Sequence, residues 1–222
     1  MYLAELFVRS DRHSGGAGKL LLRHVLKGAD GLCTLSSADP RAMALYIPAG
    51  MRPLWPNLWM RQDVTTNSTP SHEGLGVVAE EAAANDPELI AWDDEASKRS
   101  RAVDHRYWAD TGAVPFWFTR NHKRIGYGYL QTRSESAVWS QGAITIGPLG
   151  AKTPEDAAAC LGRAAYEAAS RGSIVRVAVP GPHLGLRPLL AVGFRITYVE
   201  TYLESKSYGV DPRLYVGSGD LF

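Results

Sequence analysis

The chain has 222 residues, 24 basic and 23 acidic, for a formal net charge of +1. With 45% hydrophobic content it is long enough to bury a substantial core in one large or two small domains, and its near-zero charge excludes a global field that recruits nucleic acid or an acidic membrane. Only two cysteines are present, Cys33 in an apolar run and Cys160 in an alanine-rich one, so neither a disulfide framework nor a cysteine metal site is expected.

Tyr2 to Val8 is the first element. Tyr2, Ala4, Leu6 and Val8 alternate with Leu3, Glu5 and Phe7, which predicts a strand with the two sets on opposite sides. Next comes His13-Ser14-Gly15-Gly16-Ala17-Gly18-Lys19, and then a stretch with Leu21 and Val25, and Leu22 and Leu26, at helical spacing, closed by Lys27-Gly28. Strand, glycine turn and helix thus follow in order. Glycines let the main chain approach a ligand closely, and the first amides of a helix have no intrahelical acceptor, so this is a place for a phosphate.

Two common phosphate patterns fail on specific residues. The nucleotide-triphosphate loop needs glycine where His13 stands and a hydroxyl where Leu20 stands. The dinucleotide fingerprint needs its third glycine at Leu21 and an acidic residue ending the next strand, which is missing. The stretch instead resembles motif A of the GNAT superfamily of acyl-CoA-dependent N-acyltransferases, Gln/Arg-x-x-Gly-x-Gly/Ala, with His13, Gly16 and Gly18 at its defined positions. Leu6-Phe7-Val8 resembles the end of that superfamily's fourth strand, which receives the acyl-pantetheine arm.

Downstream, the strand-like Leu32-Cys33-Thr34-Leu35 leads into a segment with Asp39, Ala42, Tyr46 and Gly50-Met51. These resemble the superfamily's Asn-x-x-Ala-x-x-x-Tyr-x-x-x-Gly-Phe signature, with Asp39 for asparagine and Met51 for phenylalanine. Asp39 is suited to cap the helix, Pro40 to open it and Gly50 to close it, while Pro48 predicts a short or distorted last turn. Arg52 to Arg61 reads as two short extended pieces broken at Pro56, and residues 65–71 read as a linker.

Beyond the linker, Pro87 to Trp108 reads as helical, with its charged residues on a solvated face and His105 without partners at metal-ligand spacing. A hairpin is predicted from Val114–Thr119 and Ile125–Gln131 around Asn121-His122-Lys123-Arg124. Then come extended 143–149, helical 153–170, extended 174–179, a short helix through Leu190 and extended 196–203. This order again resembles the superfamily. Leu189 stands where the signature has tyrosine, and Thr153-Pro154-Glu155-Asp156 reads as plain helix initiation whose acids repel a pyrophosphate.

The resemblance implies an α/β (α+β) fold with a mixed, largely antiparallel sheet flanked by helices. It also implies tandem units: a partial, cofactor-binding unit at 1–63, a linker at 64–72 and a degenerate second unit at 73–222. The first unit begins inside its cofactor-side strand, so its open edge is expected to pair with the other unit or with a second molecule, as in a homodimer. The implied activity is transfer of an acetyl group from acetyl-CoA to a small-molecule or peptide amine by direct attack; the alternative is a non-catalytic acyl-CoA-binding or dimerisation protein. The implied cofactor contacts are Phe7, Val8, His13, Ser14, Gly15, Gly16, Ala17, Gly18, Lys19 and Asp39. Tyr46 is expected to protonate the leaving thiolate and Glu5 to take the amine's proton, against the plain readings of a packed tyrosine and an exposed strand glutamate. Residues 1–62 hold 8 basic and 4 acidic side chains, against 16 and 19 in residues 63–222, a surplus beside the loop that suits an anionic cosubstrate. No metal, nucleic acid or membrane partner is expected. The absence of a long apolar run or a secretory signal makes the cytoplasm the expected location.

Overall fold

A computed structural model describes residues 2–3, 6, 8–9, 11, 15–29, 31–65, 76–132 and 142–219. In chain order its elements are β1 (Tyr2–Leu3), α1 (Ala17–Leu26), β2 (Cys33–Ser37), α2 (Pro40–Tyr46), β3 (Arg52–Asp63), β4 (Val78–Glu81), α3 (Pro87–Ser97), α4 (Ala102–Asp110), β5 (Val114–Arg120), β6 (Lys123–Thr132), β7 (Ile144–Ala151), α5 (Pro154–Ala169), β8 (Ile174–Pro180), α6 (Leu186–Ala191), β9 (Arg195–Glu204) and β10 (Tyr215–Val216). All the strands belong to one sheet in the order β1-β2-β9-β3-β8-β7-β6-β5-β4, with β10 added to β7. Every neighbouring pair is antiparallel except β1 with β2 and β7 with β8.

The centre of this sheet is an exchange of strands. β3 follows α2 in sequence but lies between β8 and β9, and β9 follows α6 but lies between β2 and β3. The two halves are related by a constant offset. Gly50 and Gly193, which end α2 with its following turn and α6, are 143 residues apart (193 − 50), and both have positive φ. The same offset carries the parallel rung Leu3–Thr34 onto Ile146–Val177 and the antiparallel rung Ser37–Glu200 onto Pro180–Asn57. β9 pairs along all of β2 within the chain, while β1 remains the end strand of the sheet among the described residues.

Side chains alternate between two layers, as strand geometry requires. On one face, α1 and α2 pack over Leu3, Leu32 and Leu203, while α5 and α6 pack over Met60, Ile146, Val177 and Val179. On the other, α3 and α4 cover Trp117, Tyr127 and Tyr129, and Tyr2, Cys33, Trp55, Tyr202 and Tyr215 cluster together.

Several sequence expectations need correction. Among the described residues of the strand predicted over Tyr2 to Val8, Tyr2–Leu3 are in a strand and Leu6 and Val8 are not. Leu6 packs in the same cluster as Leu3 instead of with Tyr2. The segment from Arg52 is one strand of 12 residues, not two pieces. Pro56 is tolerated because its carbonyl faces Gly181 (2.7 Å), just past the last rung of β8 at Asn57–Pro180, where a missing N–H breaks no ladder bond. The helix predicted over Pro87 to Trp108 breaks at Lys98, which takes the left-handed conformation (φ 58°), so α3 and α4 are separate. Pro48 acts as expected: α2 stops at Tyr46, and a single 3-10 turn, Ile47–Ala49, runs into Gly50.

The charged residues of α3 and α4 are the largest correction, since three of them are buried instead of solvated. Asp93, Arg101 and His105 are each at most 1% exposed. The Asp93 carboxylate lies 2.9 Å from His105 Nε2 and 3.5 Å from Arg101 Nε, and accepts from the Tyr127 hydroxyl at 2.6 Å. Tyr129 OH lies 2.7 Å from His105 Nδ1, and Arg101 also meets Tyr215. Burial opposes the charge on Asp93, but Arg101 and the hydrogen bonds from His105 and Tyr127 outweigh it and hold the carboxyl below its usual range. Helical periodicity could not reveal this, because the partners come from β6 and β10, distant in sequence.

Candidate functional site

The two parallel strand pairs both diverge after a few rungs. Among the described residues, β1 and β2 are paired at Tyr2–Cys33 and Leu3–Thr34. Where they part, a cavity of about 450 Å³ opens, lined by Leu6 and Val8, by Gly16 to Lys19 at the start of α1, and by Asp39, Arg41, Ala42, Ala44, Leu45 and Tyr46. Of the expected site residues, Val8, Gly16, Ala17, Gly18, Lys19, Asp39 and Tyr46 are thus brought together. Gly15 is described but does not line this cavity, and Glu5, Phe7, His13 and Ser14 lie outside the described residues.

The start of α1 has the properties of an anion site. Gly16 sits at its N-cap in the left-handed region (φ 77°), a conformation that strains most side chains, while a Cβ there would meet nothing within 4 Å. The requirement for glycine is therefore conformational. The first helical hydrogen bond runs from Leu20 N–H to the Gly16 carbonyl (3.0 Å), so the amides of Ala17, Gly18 and Lys19 have no acceptor within the helix. Among the described residues no side chain caps this end, and its first turn has no acidic residue. Gly18 has Val8 and Leu45 at ordinary contact distance from a notional Cβ, so its small size keeps the floor of the cavity close to the backbone.

The starts of α2 and α5, by contrast, are satisfied by side-chain caps. At α2, Asp39 accepts from Arg41 N–H (2.9 Å) and also pairs with the Arg41 guanidinium (2.6 Å). Asp39 therefore lines the cavity as a cap whose charge is largely answered by Arg41, with the guanidinium at the rim. At α5, Thr153 accepts from Asp156 N–H (3.1 Å), and Glu155 and Asp156 fill the first turn. The helix there also begins earlier: residues 154–159 correspond, at the 143-residue offset, to residues 11–16 ahead of α1. The divergence between β7 and β8 is closed as well. β10 pairs with β7 at Tyr215–Gly150 and Val216–Leu149, and a Cβ on Gly147 would stand 2.2 Å from the Gly217 carbonyl oxygen.

Tyr46 is the titratable group that the cavity shares with the core. It is 7% exposed, its ring packs among Leu3, Leu22, Leu32, Met51 and Leu203, and burial raises its phenol pKa, partly offset by a hydrogen bond with Thr34. The phenol therefore stays protonated through neutral pH and beyond the usual tyrosine range. Thr34 is itself buried and donates to the Leu3 carbonyl at 2.7 Å, tying the phenol to the Leu3–Thr34 rung. Thr34, Arg41 and Leu45 were not singled out from sequence; for Thr34 the available signal was its position in strand alternation, on the side of β2 that faces α2.

Among the described residues, no group of three or more His, Cys, Asp or Glu side chains could hold a metal ion. Cys33 and Cys160 are both buried and take part in no disulfide among the described residues. No described helix is long and apolar enough to cross a membrane.

No protein-family description matches the chain, and no curated protein does. Solved structures do. A protein from Pyrococcus horikoshii assigned as an acetyltransferase superposes with a TM-score of 0.68 at 16% identity, over 95% of this chain and 67% of its own. A GCN5-related N-acetyltransferase from Anabaena variabilis gives 0.57 at 13% identity, over 87% of this chain and 51% of its own. A tandem GNAT protein from the clavulanic acid biosynthesis pathway gives 0.54 at 13% identity, over 93% of this chain and 75% of its own. The chain thus spans between half and three quarters of the lengths of these proteins, and the likeness establishes the fold.

Proposed function

We propose that this chain, whose fold is that of the GCN5-related N-acetyltransferases, moves an acetyl group from acetyl-CoA to a primary amine by direct attack on the thioester. The observation that carries the reading is the uncapped, acid-free start of α1, whose amides open into the same cavity as a neutral phenol. The Ala17, Gly18 and Lys19 amides would hold the diphosphate, with Lys19 and Arg41 adding charge. Leu6, Val8 and Leu45 supply the apolar wall for the arm that carries the thioester.

Within that arrangement Tyr46 is the acid. As the carbon–sulfur bond breaks, the thiolate takes the phenol proton, and Thr34 keeps the ring oriented. A nearby base would receive the ammonium proton, and Glu5 is the sequence candidate for that role. The deep seating of Tyr46 in the core favours a second reading, in which the cavity binds acyl-CoA without turnover. Thiol release from acetyl-CoA across a panel of amines separates the two. Turnover that falls about a hundredfold in Tyr46→Phe with unchanged acetyl-CoA affinity supports the enzyme. Tight acetyl-CoA binding with no turnover on any amine supports the binding protein.

A further inference from the structure

On the sheet face opposite α1 and α2, the exchanged strands bring together a polar group that the site above does not use. Asn57 of β3 pairs with Glu200 of β9, and Glu200 pairs with Ser37, the last residue of β2. All three therefore lie on one face, at the level where β2 ends beside the first divergence. Asn57 is 2% exposed, and its Oδ1 has no hydrogen-bond partner among the described residues. The half-buried Glu200 carboxylate accepts from Trp59 Nε1 at 2.6 Å. Trp55 is stacked on Tyr202 with centroids 4.3 Å apart on the same face, and Trp59 is fixed by Arg176 lying 4.8 Å from its ring centroid. Tyr198, cross-strand from Trp59, is 45% exposed and opens the cluster to solvent.

A carboxylate, an amide oxygen unpartnered among the described residues in the same rung, and the indole surface left beside Tyr202 and Arg176 are the parts that recognise a cation with a flat body: two acceptors for N–H donors, and aromatic surface for the rest. A buried acceptor without a donor is costly unless something completes it. We infer that Glu200 and Asn57 form the seat of an arylalkyl primary ammonium, the acceptor of the reaction proposed above, on which this inference rests in part. The seat is assembled by the exchange, since one acceptor comes from each exchanged strand. It lies on the face away from the α1 loop, so the amine and the coenzyme reach the divergence from opposite sides.

Indole fluorescence tests this independently of turnover, because Trp59 is bonded to Glu200. Phenethylamine is titrated against phenethyl alcohol, which lacks the charge, and against phenylalanine, whose carboxylate faces Glu200. The expected result is a saturable change with phenethylamine, at least about tenfold weaker with either comparison ligand, and weakened about tenfold in Glu200→Gln and in Asn57→Ala. The signal is also expected to be lost in Trp59→Phe. Acetyl-CoA affinity, measured in parallel, is expected to be unchanged in all three variants, which shows that they fold. Phenethylamine binding that is absent, or equal in wild type and Glu200→Gln, overturns the inference whether or not acetyl-CoA binds. Loss of acetyl-CoA binding in wild type overturns the preceding reading instead.

Discussion

Asn57 and Glu200 face each other at the point about which the two halves of the sheet are related, the second following the first by 143 residues (200 − 57). On either side of this pair the rungs Trp55–Tyr202 and Trp59–Tyr198 exchange places under the same offset. The pairing means that neither half can close its sheet without a strand from the other.

A first consequence concerns cooperativity. β3 satisfies its backbone bonds with β8 and β9, both from the far end of the chain, so a fragment covering residues 1–65 would leave both edges of β3 open. The intact protein is expected to unfold in one transition, with circular dichroism and tryptophan fluorescence superimposing along a urea titration. The fragment is expected to lack cooperative unfolding. Two separated transitions in the intact chain would contradict the exchange.

The buried network under α3 and α4 makes a second prediction. Asp93 shares the compensation of Arg101 with Asp104, which lies 2.9 Å from Arg101 Nε, and also meets His105; Asp93, Arg101 and His105 are sealed from water. Asp93→Ala leaves the guanidinium buried with less of its compensation, at a cost of about 3–5 kcal/mol by urea denaturation. A loss below about 1 kcal/mol would show that the network is not a structural pair of charges.

His183 predicts the acid limb of the stability profile. It is 2% exposed, its Nδ1 accepts from Gly185 N–H at 3.0 Å, and burial lowers its pKa to about 4. The folded protein therefore binds this proton less readily than the unfolded chain does. The contribution is present above the ordinary histidine pKa near 6.5 and is lost as pH falls from there towards 4. Between pH 7 and pH 5 the loss is about 2 kcal/mol. Asn in place of His183 keeps an acceptor near the Nδ1 position without the titration, so His183→Asn is expected to flatten this part of the profile. An unchanged slope in that variant would assign the acid limb to other groups.

Much of the site was legible in the sequence because its parts are local. The left-handed glycine at Gly16, the cap at Asp39, the break forced by Pro48 and the position of Tyr46 are each fixed by residues within a few positions of one another. Elements with clean periodicity, such as β5, β6 and α5, were also readable. Long-range features were not. β4 and β10 are too short to leave a pattern of their own, and the continuity of β3 across Pro56 depends on where β8 stops. The burial of Asp93, Arg101 and His105 depends on Tyr127, Tyr129 and Tyr215, which no helical window contains. Which strand lies beside which, and hence the meeting of Asn57 with Glu200, is likewise a property of the whole sheet.

Calorimetric titration of acetyl-CoA into wild type and Ala17→Glu tests the central claim, that the start of α1 holds a diphosphate through its amides. A glutamate in the first turn favours the helix itself but places a negative charge where the phosphates would lie, so it separates folding from binding. The account predicts one acetyl-CoA per wild-type chain, at least about tenfold weaker binding in Ala17→Glu, and no fall in the variant's melting temperature. Equal affinity in the two proteins would contradict it.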